Sequence, residues 1–226
     1  MSMLTETVSH QSIDDVPVWR AATWDDYLAC CETAEIEQPG YFRIYFNQGQ
    51  LFVDVDMGEG IEHARYREVL TMIIFAWFTQ FPGQDFDCMG GCIIEKPNQR
   101  SASPDQMLYI GDGSPRWQEG EPRRLNLRKW RVPDLVCEVG DTTIATDLDE
   151  KKQIYAALEI PEYWVIDVTG LRVIAFRLQA DGRYQQIQVS EALKGLSIVL
   201  VQKTVARLAQ ESNGAAAMWF AQQIKS

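Results

Sequence analysis

The sequence predicts a mixed α/β domain: a central mixed β-sheet flanked by helices, with a β-hairpin near the N-terminus. Three observations predict it. "YFRIYF", "NQGQ" and "LFVDVDM" read as strand, turn and strand around Gly49. "EHARYREVLTMIIFAWFTQF" places Tyr66, Val69, Leu70, Ile73 and Trp77 on one face of a long helix. "EYWVIDVTGLRVIAFRLQADGRYQQIQV" reads as a three-stranded meander with turns at Thr169-Gly170 and Asp181-Gly182.

The remaining elements fit around these. Residues 1–22 read as an N-terminal extension, residues 23–205 as the domain and residues 206–226 as a helical tail. "TWDDYLACCETA" is a short helix starting near Thr23 or Asp25. Asp85 to Ile94 reads as loop then strand. "SPDQMLYIGDG" is a strand opened by Ser103-Pro104-Asp105, and "SPRWQEGEPRRLNLRKW" is irregular. "VPDLVCEVGDTTIATDLDEKKQIY" is a strand, a polar turn and a helix with lysines near its start. From Ser190 the chain predicts a short strand, then helices over "KTVARLAQES" and "AAAMWFAQQI".

Totals narrow the function classes. The chain has 226 residues, 46% hydrophobic and 23% charged, which are globular values. A net charge of -11 argues against a general nucleic-acid coat or a basic membrane binder, though not against an enzyme with a local basic groove. The longest apolar run, "VLTMIIFAWF", is about half a membrane span. The first residues lack the basic and apolar segments of a signal peptide, so a cytoplasmic location without a membrane partner is the expectation. Five cysteines read as reduced thiols, because Cys88-x-x-x-Cys92 has no second pair to complete a zinc site.

Acids inside core strands are the chemical anomaly. Burying a carboxylate costs several kcal/mol unless it is paired or coordinates a metal. Asp134 and Glu138 share a strand face but lie roughly 13 Å apart, too far to ligate one ion. Asp105 comes from another strand and approaches Glu138 if the two strands pair. Asp147, Lys151 and Tyr155 line one helix face at i, i+4, i+8. Two carboxylates and a lysine around one cavity form a kit for metal-assisted phosphodiester hydrolysis, Mg²⁺ taking the hard oxygens.

"PDLVCEV", "DLDEKKQIY" and "IPEYWVIDV" resemble the Uma-two family, a bacterial family of restriction-endonuclease type within the PD-(D/E)XK nuclease superfamily. "SPD", "EH" and "TWDDYL" are also similar to it, so the likeness runs from about Thr23 to about Leu200. The resemblance implies a restriction-endonuclease-like fold and an endonuclease dependent on Mg²⁺ (or Mn²⁺) acting on nucleic acid, DNA first. It implies Asp105 and Glu138 as metal ligands and Lys151 as the catalytic lysine, since Gly140 stands where the strand lysine would be. Glu62 or His63 is the implied accessory residue. Restriction-type enzymes often cut as dimers, so a homodimer is admitted, with "AAAMWFAQQI" either its apolar contact or a helix packed on its own domain. The family pattern after "EV" is replaced by "GDTT", which favours the alternative of a catalytically inactive binding or regulatory module.

Plainer readings stand beside these. Asp147 with Glu150 matches a helix capping box and is kept off the catalytic set. Asp134 satisfies backbone donors or pairs with Arg131. Glu138 and Lys151 make a structural salt bridge in the same geometry that would serve catalysis. Glu62 suits a helix first turn. "RRLNLRKWR" holds Arg123, Arg124, Arg128, Lys129 and Arg131, either a phosphate-binding patch with Trp130 available for stacking or a solvated loop.

Overall fold

A computed structural model describes residues 19–37, 42–55 and 60–225. Most of the expected N-terminal extension, and Tyr41, Asp56 and Met57 of the expected hairpin, lie outside the described residues. The chain begins with β1 (Arg20–Ala21) and α1 (Trp24–Glu37). Thr23 Oγ1 accepts from the Asp26 N–H (3.2 Å) while Asp26 Oδ2 accepts from the Thr23 N–H (2.7 Å), a reciprocal cap that sets the start of α1. The hairpin is β2 (Phe42–Asn47) and β3 (Gln50–Val55). Its two turn residues both have positive φ, Gln48 at 46° and Gly49 at 86°, as the tight hairpin turn with matching twist requires. The long helix is α2 (Ile61–Phe78), with Tyr66, Val69, Leu70 and Ile73 buried.

The segment from Asp85 departs from the expectation. It opens with β4 (Phe86–Met89), then forms a hairpin of two three-residue strands, β5 (Ile94–Lys96) and β6 (Arg100–Ala102). Next come β7 (Gln106–Ile110), β8 (Leu125–Asn126), β9 (Leu135–Gly140), α3 (Ile144–Leu148), α4 (Glu150–Ala157), β10 (Glu162–Asp167), β11 (Arg172–Leu178) and β12 (Tyr184–Ile187). The chain closes with α5 (Ile198–Ala206) and α6 (Asn213–Gln223). The short strand expected after Ser190 reduces to one bridge, Val189 to Ser197.

The described residues form two six-stranded sheets where the sequence predicts one. One runs β1-β3-β2-β6-β5-β8 and the other β12-β11-β10-β9-β7-β4. The second is the expected mixed sheet: β9 and β10 pair in parallel across the α3–α4 connection, and the other pairs are antiparallel. Alternation along β9 sends Leu135, Cys137 and Val139 into a core shared with α2, α5 and α6. Val136 and Glu138 therefore face the other way. Val136 packs there with Tyr45, Phe52, Met107, Tyr109 and Tyr155, the layer joining the two sheets. Ala216 and Phe220 of α6 are buried in the first core, so that helix packs on its own domain. No helix among the described residues is long and apolar enough to cross a membrane.

Candidate active site

Ser103-Pro104-Asp105 is the span in which the chain leaves β6 of one sheet and enters β7 of the other. Ser103 pins the neighbouring strand: its Oγ donates to Ile44 O (3.1 Å) and accepts from the Ile44 N–H (3.2 Å). That register brings the preceding residue, Arg43, to Asp105, with Nη1 2.7 Å from Oδ1. The other carboxylate oxygen accepts from the Val139 N–H (2.7 Å) and lies 3.1 Å from His63 Nε2. Arg43 Nη2 also lies 3.2 Å from that nitrogen, which donates to Asp105 when it carries the ring proton. Burial opposes ionisation of Asp105, but the His63 hydrogen bond and the Arg43 and Lys151 charges prevail and hold its pKa at about 2.

Glu138 is 0% exposed. Its Oε2 accepts from Lys151 Nζ at 3.3 Å; its Oε1 accepts a close hydrogen bond from the Tyr155 hydroxyl, with the Tyr45 hydroxyl 3.4 Å away. Burial pushes the Glu138 carboxyl up to about 8, and the Asp105 and Asp147 carboxylates act in the same direction against Lys151 and Arg43. Burial alone would push the Lys151 ammonium down; the Glu138, Asp147 and Asp105 carboxylates and the Tyr45 hydroxyl oxygen hold it well above its ordinary value. Lys151 also sits over the Tyr45 ring, 4.9 Å from its centroid.

A carboxylate buried for structure alone looks different. Glu162 takes Trp164 Nε1–H and the Ser190 hydroxyl (2.7 Å each) and the N–H groups of Glu191 and Ala192 (2.9 Å each). Those four neutral donors tie the β10 strand to the turn at Ser190. Glu138 instead shares an ammonium with a second acid.

That second acid corrects the capping-box reading of Asp147. The helix begins earlier than the sequence suggests, at Ile144, so Asp147 lies within α3 and is buried. A break at Asp149 (φ -121°, ψ -85°) separates α3 from α4. Asp147 Oδ2 accepts from Thr143 Oγ1 (2.9 Å), and Oδ1 lies 2.8 Å from Lys151 Nζ. Gly140 explains the absent strand lysine. A Cβ there would stand 2.7 Å from Asp147 Oδ2 and 3.2 Å from the Ile144 Cα. The space a strand lysine would fill holds Asp147, and the ammonium arrives from α4.

The other expected residues fall in different places. Glu62 is exposed and takes both its oxygens to Arg65 Nη1 (2.7 and 2.9 Å), away from the cluster that His63 joins. In the basic run, Arg124 pairs with Glu95 (3.2 Å), and Arg131 with Asp134 (2.8 Å) and the Ile110 carbonyl (2.8 Å), both fixing the loop to the sheets. Lys129 is held by Glu121, and Arg128 reaches the Pro97 carbonyl (3.0 Å). Arg123 is exposed. From the sequence Arg43 is missed, and Asp147 is set on the Lys151 face of the helix but kept off the catalytic set. The arginine inside the apolar run "YFRIYF" was the available signal for the first, and the i, i+4 spacing to Lys151 for the second.

The family model Uma2, described as "Putative restriction endonuclease", matches residues 24–209. The chain belongs to this family. The Uma2 span contains Arg43, His63, Asp105, Glu138, Asp147 and Lys151. A crystal structure from Anabaena variabilis, described as a "putative nuclease", aligns at 16% identity with a TM-score of 0.50, covering 88% of this chain and 98% of that one. At that identity the likeness speaks for the fold. No curated protein matches the chain.

The cluster contains the hard oxygen donors that a divalent cation takes, and those of Asp105 and Glu138 are each engaged by protein partners. Three buried acids, Asp105, Glu138 and Asp147, face two cations, Arg43 and Lys151, and a metal ion bound by Glu138 would displace the proton that burial favours there. Among the described residues no three His, Cys, Asp or Glu side chains are disposed as a complete metal cage. Mg²⁺ asks for less, commonly one or two carboxylates, with water and phosphate oxygens filling the remainder.

Proposed function

We propose that the protein is a divalent-metal-dependent endonuclease acting on nucleic acid, with DNA as the first substrate to test. The observation that carries this reading is the meeting of Asp105, just before β7, with Glu138 of β9 and Lys151 of α4. Asp105 and Glu138 would hold Mg²⁺ or Mn²⁺. Such an ion would supply Lewis acidity and neutralise charge developing on the phosphodiester. Lys151, kept protonated by its acids, provides fixed positive charge toward the same phosphate. His63 and Arg43 hold the Asp105 carboxylate ionised and in one orientation. Asp147 and Tyr155 position Lys151 and Glu138. Arg123 and Arg128, exposed in the basic run, would meet the backbone of the substrate.

Incubation of the protein with plasmid and single-stranded DNA tests this, with Mg²⁺, Mn²⁺ or EDTA. Metal-dependent cutting that disappears in Glu138→Gln is expected. Undiminished cutting by that variant would overturn the assignment.

One observation favours a second reading, a nuclease-fold binding module without cleavage. Asp105, Glu138 and Lys151 are at most 3% exposed, and each carboxylate oxygen already has a protein partner. Nucleic acid bound without cutting in any metal would select this alternative.

A further inference from the structure

A cavity of about 340 Å³ opens beside the loop between β7 and β9. It falls within the size range of small-molecule sites, about 300–1,000 Å³. Its position follows from the strands. Met89 and Cys92 line it, and Met89 pairs with Met107 of β7. Met107 in turn pairs with Val136, which shares a face of β9 with Glu138, so the cavity opens on the side of the sheet that bears the acidic cluster.

The lining combines two indole rings with cationic groups. Trp117 and Trp130 contribute rings, and Arg116 and Arg123 contribute guanidinium groups. Trp117 is 61% exposed, a large apolar surface in contact with water. Its orientation is nevertheless set, because Nε1–H donates to the Glu121 carbonyl (2.9 Å). Lys129 lies 4.9 Å from the Trp130 ring centroid and also holds the Glu121 carboxylate. Glu121 also lines the cavity, against Arg116, Arg123 and Arg124, so the wall is on balance basic in a chain whose net charge is -11. Arg116 is tied to Asp87 (2.9 Å), whereas Arg123 makes no hydrogen bond or ion pair among the described residues. Flat apolar ring faces bordered by cations are the features that recognise a base and its flanking phosphates without reading sequence.

We propose that this cavity takes an unpaired nucleobase of a nucleic-acid strand, with Trp117 and Trp130 offering ring faces and Arg123 and Arg116 meeting the adjacent phosphates. This rests on the nucleic-acid reading above and assigns its substrate class: strands with an accessible unpaired base.

Binding is measured in EDTA with the Glu138→Gln protein, so that cleavage plays no part. The probes are a labelled single-stranded oligothymidylate, a duplex of the same length and free thymidine monophosphate. The single strand is expected to bind most tightly, with quenching of tryptophan fluorescence. Trp117→Ala and Arg123→Ala are each expected to weaken it about tenfold, the scale of one stacked base. Both side chains are exposed, so an unchanged melting temperature accompanies that loss. Unchanged affinity in both variants would overturn the proposal, as would duplex binding as tight as the strand's. Thymidine monophosphate matching the oligomer would overturn the strand assignment. Trp117-dependent strand binding by a protein that cuts nothing in any metal would uphold the pocket and remove the catalytic reading.

Discussion

Lys151 Nζ lies 3.3 Å from Glu138 Oε2 and 2.8 Å from Asp147 Oδ1, so one buried ammonium serves carboxylates from a strand and from a separate helix. Removing it leaves two acids without their cation. Lys151→Met is expected to destabilise the fold by about 3–5 kcal/mol, the scale for breaking a buried pair. Adding Glu138→Gln should return part of that loss above about pH 8, where Glu138 would otherwise ionise, because one stranded charge disappears. Activity should not return with stability. Denaturant unfolding of the single and double variants, beside their nuclease rates, separates the two roles.

Glu138 makes stability depend on pH on the alkaline side. Folding raises its pKa from 4.5 to about 8, so the folded state favours the protonated form. That contribution is fully present below the ordinary carboxyl range and is lost as pH rises through about 8. The melting temperature of metal-free protein is therefore expected to fall by several degrees across that window. Glu138→Gln, which imitates the protonated acid, should flatten the profile. A wild-type profile as flat as the variant's would contradict the burial of an acid here.

Asp105 works in the opposite sense. Its pKa is lowered from 3.8 to about 2, so its stabilisation is present above the ordinary value and is lost as pH falls through about 2. The shift corresponds to about 2 kcal/mol at neutral pH. Asp105→Asn should remove that margin at neutral pH and flatten the acid limb of the unfolding curve. Arg43→Met should raise the Asp105 pKa, observable by carboxyl chemical shift titration. The same titration in Glu62→Gln should be unchanged, since Glu62 bonds only to Arg65 among the described residues.

Much of the fold was legible because the signals are local. Gln48-Gly49 can form a positive-φ turn, α2 repeats its apolar residues at helical spacing, and the β10–β12 meander carries its own turn residues. The three-residue strands β5 and β6 were not legible, and neither was the second sheet. Such strands have little periodicity, and they exist because distant partners at β2 and β8 hold them. The candidate site divides in the same way. Asp105, Glu138 and Lys151 stand out as polar residues at core positions. Arg43 joins them only through the register that Ser103 imposes on Ile44, a contact across 59 residues. Asp147 read as a cap because the sequence does not reveal that α3 starts at Ile144. Its burial follows from packing on β10, where the Tyr163 hydroxyl donates to its carbonyl (2.9 Å).

Gly140 offers a sharper test of why the lysine sits on a helix. Restoring a strand lysine by Gly140→Lys would place a Cβ 2.7 Å from Asp147 Oδ2 and 3.2 Å from the Ile144 Cα. The second neighbour is backbone and cannot swing aside. Gly140→Ala alone is therefore expected to cost about 1–3 kcal/mol through overpacking. Gly140→Lys should cost at least as much and should fail to rescue a Lys151→Ala protein. Pairing Gly140→Ala with Asp147→Ala would relieve the nearer contact while leaving Lys151 with Glu138 alone. Its stability should then exceed the sum of the single effects, as a thermal-unfolding double-mutant cycle would report. Strict additivity would mean that Asp147 does not fill the space beside Gly140, and the physical account of the displaced lysine would fall with it.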